Sequence, residues 1–373
     1  MPGFFLEPIK TSIIIGRGDI IKKVLLILPR LSGHGGTETV INYWTDFLGE
    51  KKHQIYDFKI IAPNGMDDSG WIHSRNFFKI SHLMSPNRHI RHIQSLIVLI
   101  FSIFTISPDL VIVMNTTTLK VVYFLRNFFH LNFKISTWLH FSLKHGEGFD
   151  MKALVKADYH LCISQGIREQ LADLNINDNV YVIGNPVDRK SKSIKLNPSI
   201  PRFIYVGRLM LNGQKNLIEL LIACSGLIGD WKLDLYGTGP AAEISRIQSF
   251  LKKNNIESKV CFKGWLNNPW LTIESATALV LTSKFEGLPM VLLEACSYGL
   301  PVVSSDCPTG PGDIVKEDNG FLYSSGDTNQ LRNILQLLID QRASFETKKI
   351  KESINWFYTD QYFLRLNNDL NRF

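Results

Sequence analysis

Short apolar runs recur along the chain, each closed by glycine, proline or polar residues. In the first half they fall at 23–28, 58–63, 110–115, 134–139, 159–164 and 180–185. Continuous apolar runs of this length, bounded by turn residues, predict strands buried on both faces of a parallel sheet. Helical spacing separates several of them, beginning at Thr39. Residues 185–201 then change character, with three prolines, several charges and few large apolar side chains, and read as a linker. The alternation restarts with runs at 203–207, 232–237, 259–264, 278–283 and 301–305 and helical patterns at 216–229, 240–254, 289–298 and 328–342. Strands alternating with helices predict parallel sheets covered on both faces, so the pattern implies two α/β domains in series.

One run stands apart. Residues 94–106, QSLIVLIFSIFTI, are the most apolar stretch, yet shorter than the roughly 20 residues a membrane span needs. A buried core helix or strand is the plain reading. The alternative is a membrane-facing patch, because RHIRH precedes the run and VVYFLRNFFHLNFK follows it at 121–134, mixing basic and aromatic residues. Residues 1–20 carry Glu7 and Asp19 and lack a long apolar core, so they read as a tail and not as a signal peptide.

The length of 373 residues suits two domains, and 45% hydrophobic with 20% charged residues is a globular composition. Five scattered cysteines show no CxxC or zinc-like spacing, which points to reduced thiols in a cytosolic compartment. The net charge of +7 favours anionic partners. These are phosphorylated substrates, a phospholipid surface or nucleic acid, and no nucleic-acid motif is present.

Strand-to-helix turns hold the candidate chemistry, as ligands of open α/β sheets bind beyond the carboxyl ends of strands. In SKFEGLPMVLLEACSYG (283–299), Glu286 lies in a turn and Glu294 in the middle of an apolar run. Pro289 suits the first position of a helix, whose start would offer the N–H groups of Gly287, Leu288 and Met290 to an anion. Glu294 reads either as a solvent-facing residue or as the acceptor for a ligand diol, since a buried carboxylate needs donors. Glu286 reads either as a partner of the helix dipole or as a ligand contact. In VGRLMLNGQKN (206–216), Arg208 and Lys215 are either solvated loop cations or a clamp for a diphosphate. SGHGGTE (32–38) and YGTGP (236–240) are glycine turns of low specificity, and neither is a dinucleotide fingerprint or a P-loop. His140 follows an apolar run, where a lone histidine is commonly structural. No GxSxG, HExxH or DxD occurs, and no metal cluster is evident.

The ordered set GGTE, GRL…QKN, GTGP and E-x7-E in FEGLPMVLLEA resembles the retaining glycosyltransferases of the GT-B fold, group 1 or family 4, over nearly the whole chain beyond residue 22. LHFSLKH (139–145), ADYHLCISQGIREQL (157–171), GWLNNPW (264–270) and SSDCPTGP (304–311) are similar to the bacterial lipopolysaccharide-core 1,6-galactosyltransferases.

The resemblance implies two Rossmann-like domains with parallel sheets facing across a cleft. An extension over 1–22, outside the family pattern, would precede an acceptor-binding domain over 23–190. A nucleotide-sugar domain would follow over 198–352, and residues 353–373 would form a helix returning to the first domain. It further implies that Glu286 contacts hydroxyls of the donor sugar and Glu294 the ribose hydroxyls. Arg208 and Lys215 would neutralise the diphosphate. Gly36 and the N–H groups of Gly287 and Leu288 would approach phosphate and sugar, His140 would lie near donor sugar and acceptor, and the turn Gly264, Trp265 and Leu266 would line the base.

No metal and no cofactor are implied, because UDP-sugar is a co-substrate and cations with a helix N-terminus can stabilise the leaving diphosphate. The implied reaction moves a hexose, galactose from UDP-galactose, onto the lipopolysaccharide core in an α-linkage. The implied location is cytoplasmic, peripheral on the inner membrane. The rivals are transfer from another UDP-sugar to an O-antigen, capsule or polyprenyl-linked glycan, a UDP-sugar epimerase, or a silent binding protein.

Overall fold

The computed structural model describes residues 22–31, 35–49, 56–80, 85, 87–144 and 149–370. The extension expected over 1–22 lies outside them except for Lys22, which opens the first strand. In the first half the chain forms β1 (Lys22–Ile27), α1 (Gly36–Gly49), β2 (Tyr56–Ala62), β3 (Phe78–Ile80), α2 (Arg88–Ile106), β4 (Leu110–Val113), α3 (Thr116–Phe128), β5 (Lys134–Leu139), β6 (Tyr159–Cys162), α4 (Gln165–Ala172) and β7 (Val180–Val182). The second half adds β8 (Arg202–Val206), α5 (Leu217–Ser225), β9 (Lys232–Tyr236), α6 (Ala241–Lys253), β10 (Val260–Gly264), β11 (Ala278–Leu281), α7 (Met290–Ser297), β12 (Val302–Ser305), α8 (Pro311–Ile314), β13 (Gly320–Tyr323), α9 (Thr328–Ile339), α10 (Thr347–Ser353) and α11 (Thr359–Leu370).

These strands make two sheets, of order β3-β2-β1-β4-β5-β6-β7 and β10-β9-β8-β11-β12-β13. Every pairing is parallel. The runs read as strands are therefore buried on both faces: Val24 to Leu28 and Leu110 to Val113 are almost wholly inaccessible. β3 and β13 escape the sequence pattern because each is short and closes a sheet edge, leaving too few apolar residues for a run. Strand order reverses at β1/β4 and at β8/β11, which opens a crevice at the carboxyl end of each sheet.

Helix starts are set by side-chain caps. Asn115 accepts from the Thr118 amide, Ser164 from Ile167, and Asp327 from Asn329 and Gln330. The segment between the sheets is pinned: the Val187 amide donates to the Phe357 carbonyl and the Ile194 amide to the Tyr298 carbonyl, each at 2.9 Å. After α10 the chain crosses to the first sheet. There α11 packs on α1, with the Trp44 indole donating to the Tyr362 hydroxyl at 2.8 Å and Phe47 stacked on Phe363 at 3.8 Å.

The run 94–106 is not a core element. It belongs to α2, which buries Leu99, Ser102 and Ile103 but leaves Ile93 and Ile97 about three-fifths exposed. Burial failed as an expectation because α2 covers the outer side of the domain, where no further layer packs on it among the described residues.

Candidate active site

The second sheet supplies most of the site. β8 ends at Val206, and the loop behind it carries Arg208 and Lys215. β11 ends at Leu281, and the turn behind it carries Glu286. These two strands are hydrogen-bonded neighbours, so their loops meet. The Lys215 ammonium lies 2.7 Å from the Glu286 carboxylate, and both side chains are largely buried. Lys215 is thus not a solvated loop cation.

Arg208 is exposed and donates to the Gln214 side-chain oxygen at 3.2 Å. The Gln214 amide nitrogen donates to the Phe285 carbonyl at 3.2 Å, and the Gln214 carbonyl accepts from the Lys284 amide at 2.8 Å. Gln214 therefore ties the arginine to the glutamate turn. Behind Lys215, Asn216 takes a left-handed conformation, its side chain held by buried Glu219. The Thr282 hydroxyl donates to the Lys215 and Asn216 carbonyls.

The glycine turn at 236–240 has a local structural role. A Cβ on Gly237 would stand 1.9 Å from the Gly207 carbonyl oxygen, and one on Gly239 would stand 2.1 Å from that of Leu209. Both glycines let this turn lie against the loop that carries Arg208. The stretch 304–311 clamps the other turn: the Thr309 hydroxyl donates to the Glu286 carbonyl, and the Glu286 amide donates to that of Pro308 at 3.4 Å.

Pro289 is the N-cap of α7 and not its first helical residue, a correction of one position. The unused N–H groups of the first helical turn accordingly begin at Met290. Gly287 and Leu288 enter this helix start from the Glu286 turn. One helical turn on, half-buried Glu294 accepts from the Trp270 indole at 2.9 Å. Burial raises its pKa, opposed by that indole N–H and by the charge of Lys190. The solvent-facing reading does not hold: one carboxylate oxygen is fixed from behind by an indole.

The first domain closes the site. His140, at the end of β5, is buried, with its ring 4.4 Å from that of Trp138. Its Nε2 has no hydrogen-bond partner among the described residues. Burial pushes its pKa down to about 3, so the imidazole is neutral at physiological pH. A Cβ on Gly287 would stand 2.0 Å from the His140 carbonyl oxygen. Gly36, opening α1, faces α7 in the same way, as its Cβ would stand 3.1 Å from the Met290 side chain. A further tie crosses the seam, from the Gln165 amide to Asp313 at 3.0 Å.

Glu286, Lys215, Arg208, Gly287, Leu288, His140 and Gly36 thus converge where the carboxyl ends of the two sheets meet. Gly264, Trp265 and Leu266 lie elsewhere on that rim, behind edge strand β10 and two strands from β8, with Trp265 54% exposed. Sequence reasoning gave no role to Gln214, Trp270 or Thr309. All three stood inside quoted stretches, but their partners Phe285, Glu294 and Glu286 are 71, 24 and 23 residues away.

Two parallel sheets meeting across a cleft, with a cationic loop and a carboxylate turn on one side, define a glycosyltransferase of the GT-B class. Residues 186–356 match the model of "Glycosyl transferases group 1". The lipopolysaccharide 1,6-galactosyltransferase of Escherichia coli K12 is 34% identical over 358 residues, covering 92% of this chain and 97% of that protein. The apo structure of the lipopolysaccharide outer core galactosyltransferase WaaB superposes with a TM-score of 0.82 at 31% identity, covering 94% of this chain and 99% of that one. Anabaena HepE, solved with UDP, shares the fold at 17% identity, with a TM-score of 0.73 over 95% of this chain and all of its own. The chain belongs to the group 1 glycosyltransferases, and it is an enzyme that transfers a sugar.

Proposed function

We propose that the protein transfers galactose from UDP-galactose to the lipopolysaccharide core, retaining the anomeric configuration and using no metal. The observation that carries the reading is the Lys215–Glu286 pair beside Arg208 at the start of α7. When the bond between the anomeric carbon and UDP breaks, negative charge grows on the diphosphate. Arg208, Lys215 and the N–H groups opening α7 would hold that charge. Cations of the chain and a helix N-terminus can supply this stabilisation without a divalent ion.

Glu286 holds Lys215 in place and turns its remaining acceptor capacity to sugar hydroxyls. Glu294 has its second oxygen for the ribose diol, while Trp270 fixes the first. Neutral His140 offers Nε2 to a hydroxyl of sugar or acceptor. Kinship with the lipopolysaccharide 1,6-galactosyltransferases supports galactose as the sugar and the core saccharide as the acceptor.

The test is UDP release from a panel of UDP-sugars, with and without deacylated lipopolysaccharide core of defined truncation. The reading requires release from UDP-galactose only when core is present. Release with a polyprenyl-linked glycan alone assigns a different acceptor. Interconversion of free UDP-sugars without acceptor makes the protein an epimerase.

A further inference from the structure

α2 is turned inside out for a helix on a water-soluble domain. Its inward side carries Ser95, whose hydroxyl bonds to the Pro63 carbonyl and the Asn64 side chain at 3.0 and 2.8 Å, together with Leu99, Ser102 and Ile103. Its outward side carries Ile90, Ile93, Ile97 and Phe104, which are 48–61% exposed. An ordinary surface helix shows water the opposite face. The apolar surface continues onto α3, where Phe124 and Phe128 are 59% and 63% exposed, and the Phe104 ring meets that of Phe129 at 5.2 Å. It reaches the 3-10 turn Met151–Lys156, tied to α3 by the Lys120–Asp150 ion pair, where Val155 is 69% exposed.

Cations outnumber anions around this surface, and the acids that border it, Asp150 and Asp158, are each paired with a cation of α3. Neither α2 nor α3 contains an Asp or Glu. Lys152 and Lys156 have no ion pair among the described residues, and Lys156 instead lies 4.5 Å over the Tyr123 ring. Apolar side chains ringed by uncompensated cations complement a surface with anionic groups outside and hydrocarbon beneath. α2 is long and apolar enough to cross a membrane by composition. It cannot do so in this fold, because it leads directly into β4, which is hydrogen-bonded between β1 and β5.

We propose that this face docks in the plane of an anionic phospholipid bilayer. The stripe Ile90, Ile93, Ile97 and Phe104 enters the boundary between headgroups and acyl chains together with Phe124 and Phe128. Lys152 and Lys156 meet the headgroup phosphates. The loop after β5, which carries His140, is fastened to α3 through the Asp150 amide and the Thr116 hydroxyl at 2.9 Å. Docking would therefore hold the cleft beside the membrane, within reach of a lipid-anchored acceptor.

The experiment is flotation of the full chain with vesicles of phosphatidylglycerol and phosphatidylethanolamine, set against phosphatidylcholine alone. Wild type should float with the anionic vesicles and be released by salt. Ile93→Asp/Ile97→Asp and Lys152→Glu/Lys156→Glu should each float at least about tenfold less, while keeping the wild-type melting temperature and UDP affinity. Wild type that stays unbound, or variants that float equally well, would overturn the proposal. So would a wild-type dimer that Ile93→Asp/Ile97→Asp renders monomeric without any vesicle binding, since the face would then serve a second copy. Flotation needs no sugar transfer, so it fails or succeeds separately from the assignment of donor and acceptor.

Discussion

The Lys215 ammonium and the Glu286 carboxylate meet at 2.7 Å although 71 residues separate them. Each arrives on the loop of a different strand, and the two strands are neighbours. Removing either leaves the other charge largely buried and uncompensated. Lys215→Ala and Glu286→Ala should each lower the transfer rate by about 100-fold or more, the scale of losing one preorganised electrostatic contact. The double variant should be little worse than either single one, because the pair acts as a unit. Steady-state rates on all three variants check this; multiplicative losses would mean that the two residues act independently.

Glu294 and Trp270 should act on donor binding more than on turnover. Glu294→Ala removes a carboxylate proposed to hold a diol, so donor KM should rise about 10- to 100-fold, the equivalent of one charge-assisted hydrogen bond. Trp270→Phe keeps the carboxylate but frees it to swing, and its effect should be smaller and in the same direction. A loss confined to kcat in both variants contradicts the role.

Gly287 lies against the His140 carbonyl with no room for a side chain. Gly287→Ala should push the two domains apart at the seam while each sheet stays folded. The expected signature is a near-native circular dichroism spectrum with transfer reduced by at least about tenfold, as reacting groups tolerate little displacement. Full activity in this variant would show that the seam is looser than its geometry implies.

Two buried histidines make the fold sensitive to acid. Burial lowers the pKa of His140 to about 3 and that of His160 to about 4. The unfolded chain takes up a proton on each near pH 6.5 while the folded chain resists it, so stability is complete above that pH and falls below it. Each histidine should remove up to about 1.4 kcal/mol per pH unit between about 6.5 and its folded value. Urea unfolding from pH 7 to pH 5 measures the slope, which His140→Gln/His160→Gln should flatten.

Charge at the leaving group is proposed to come from Arg208, Lys215 and the start of α7. EDTA should therefore leave transfer unchanged. A loss of more than about tenfold that a divalent ion restores would return that task to a metal.

Much of the architecture is legible in the amino-acid order because it is local. Parallel strands buried on both faces must be continuous apolar runs, so most strands of both sheets stand out, along with the polar, proline-containing segment between them. The edge strands β3 and β13 do not, since three or four residues at a sheet edge need no such run. The run in α2 misled because apolarity alone does not say which side of a helix will meet another layer.

The site divides in the same way. Glu286, Arg208, Lys215 and the glycines around them are visible as residue types at strand ends, where ligands of parallel sheets bind. The amino-acid order does not say that Lys215 pairs with Glu286, that Trp270 holds Glu294, or that Gly287 meets His140. Each of these depends on which strands are neighbours and on how two sheets face one another. Such contacts join residues far apart in the chain, and only the tertiary fold brings them within bonding distance.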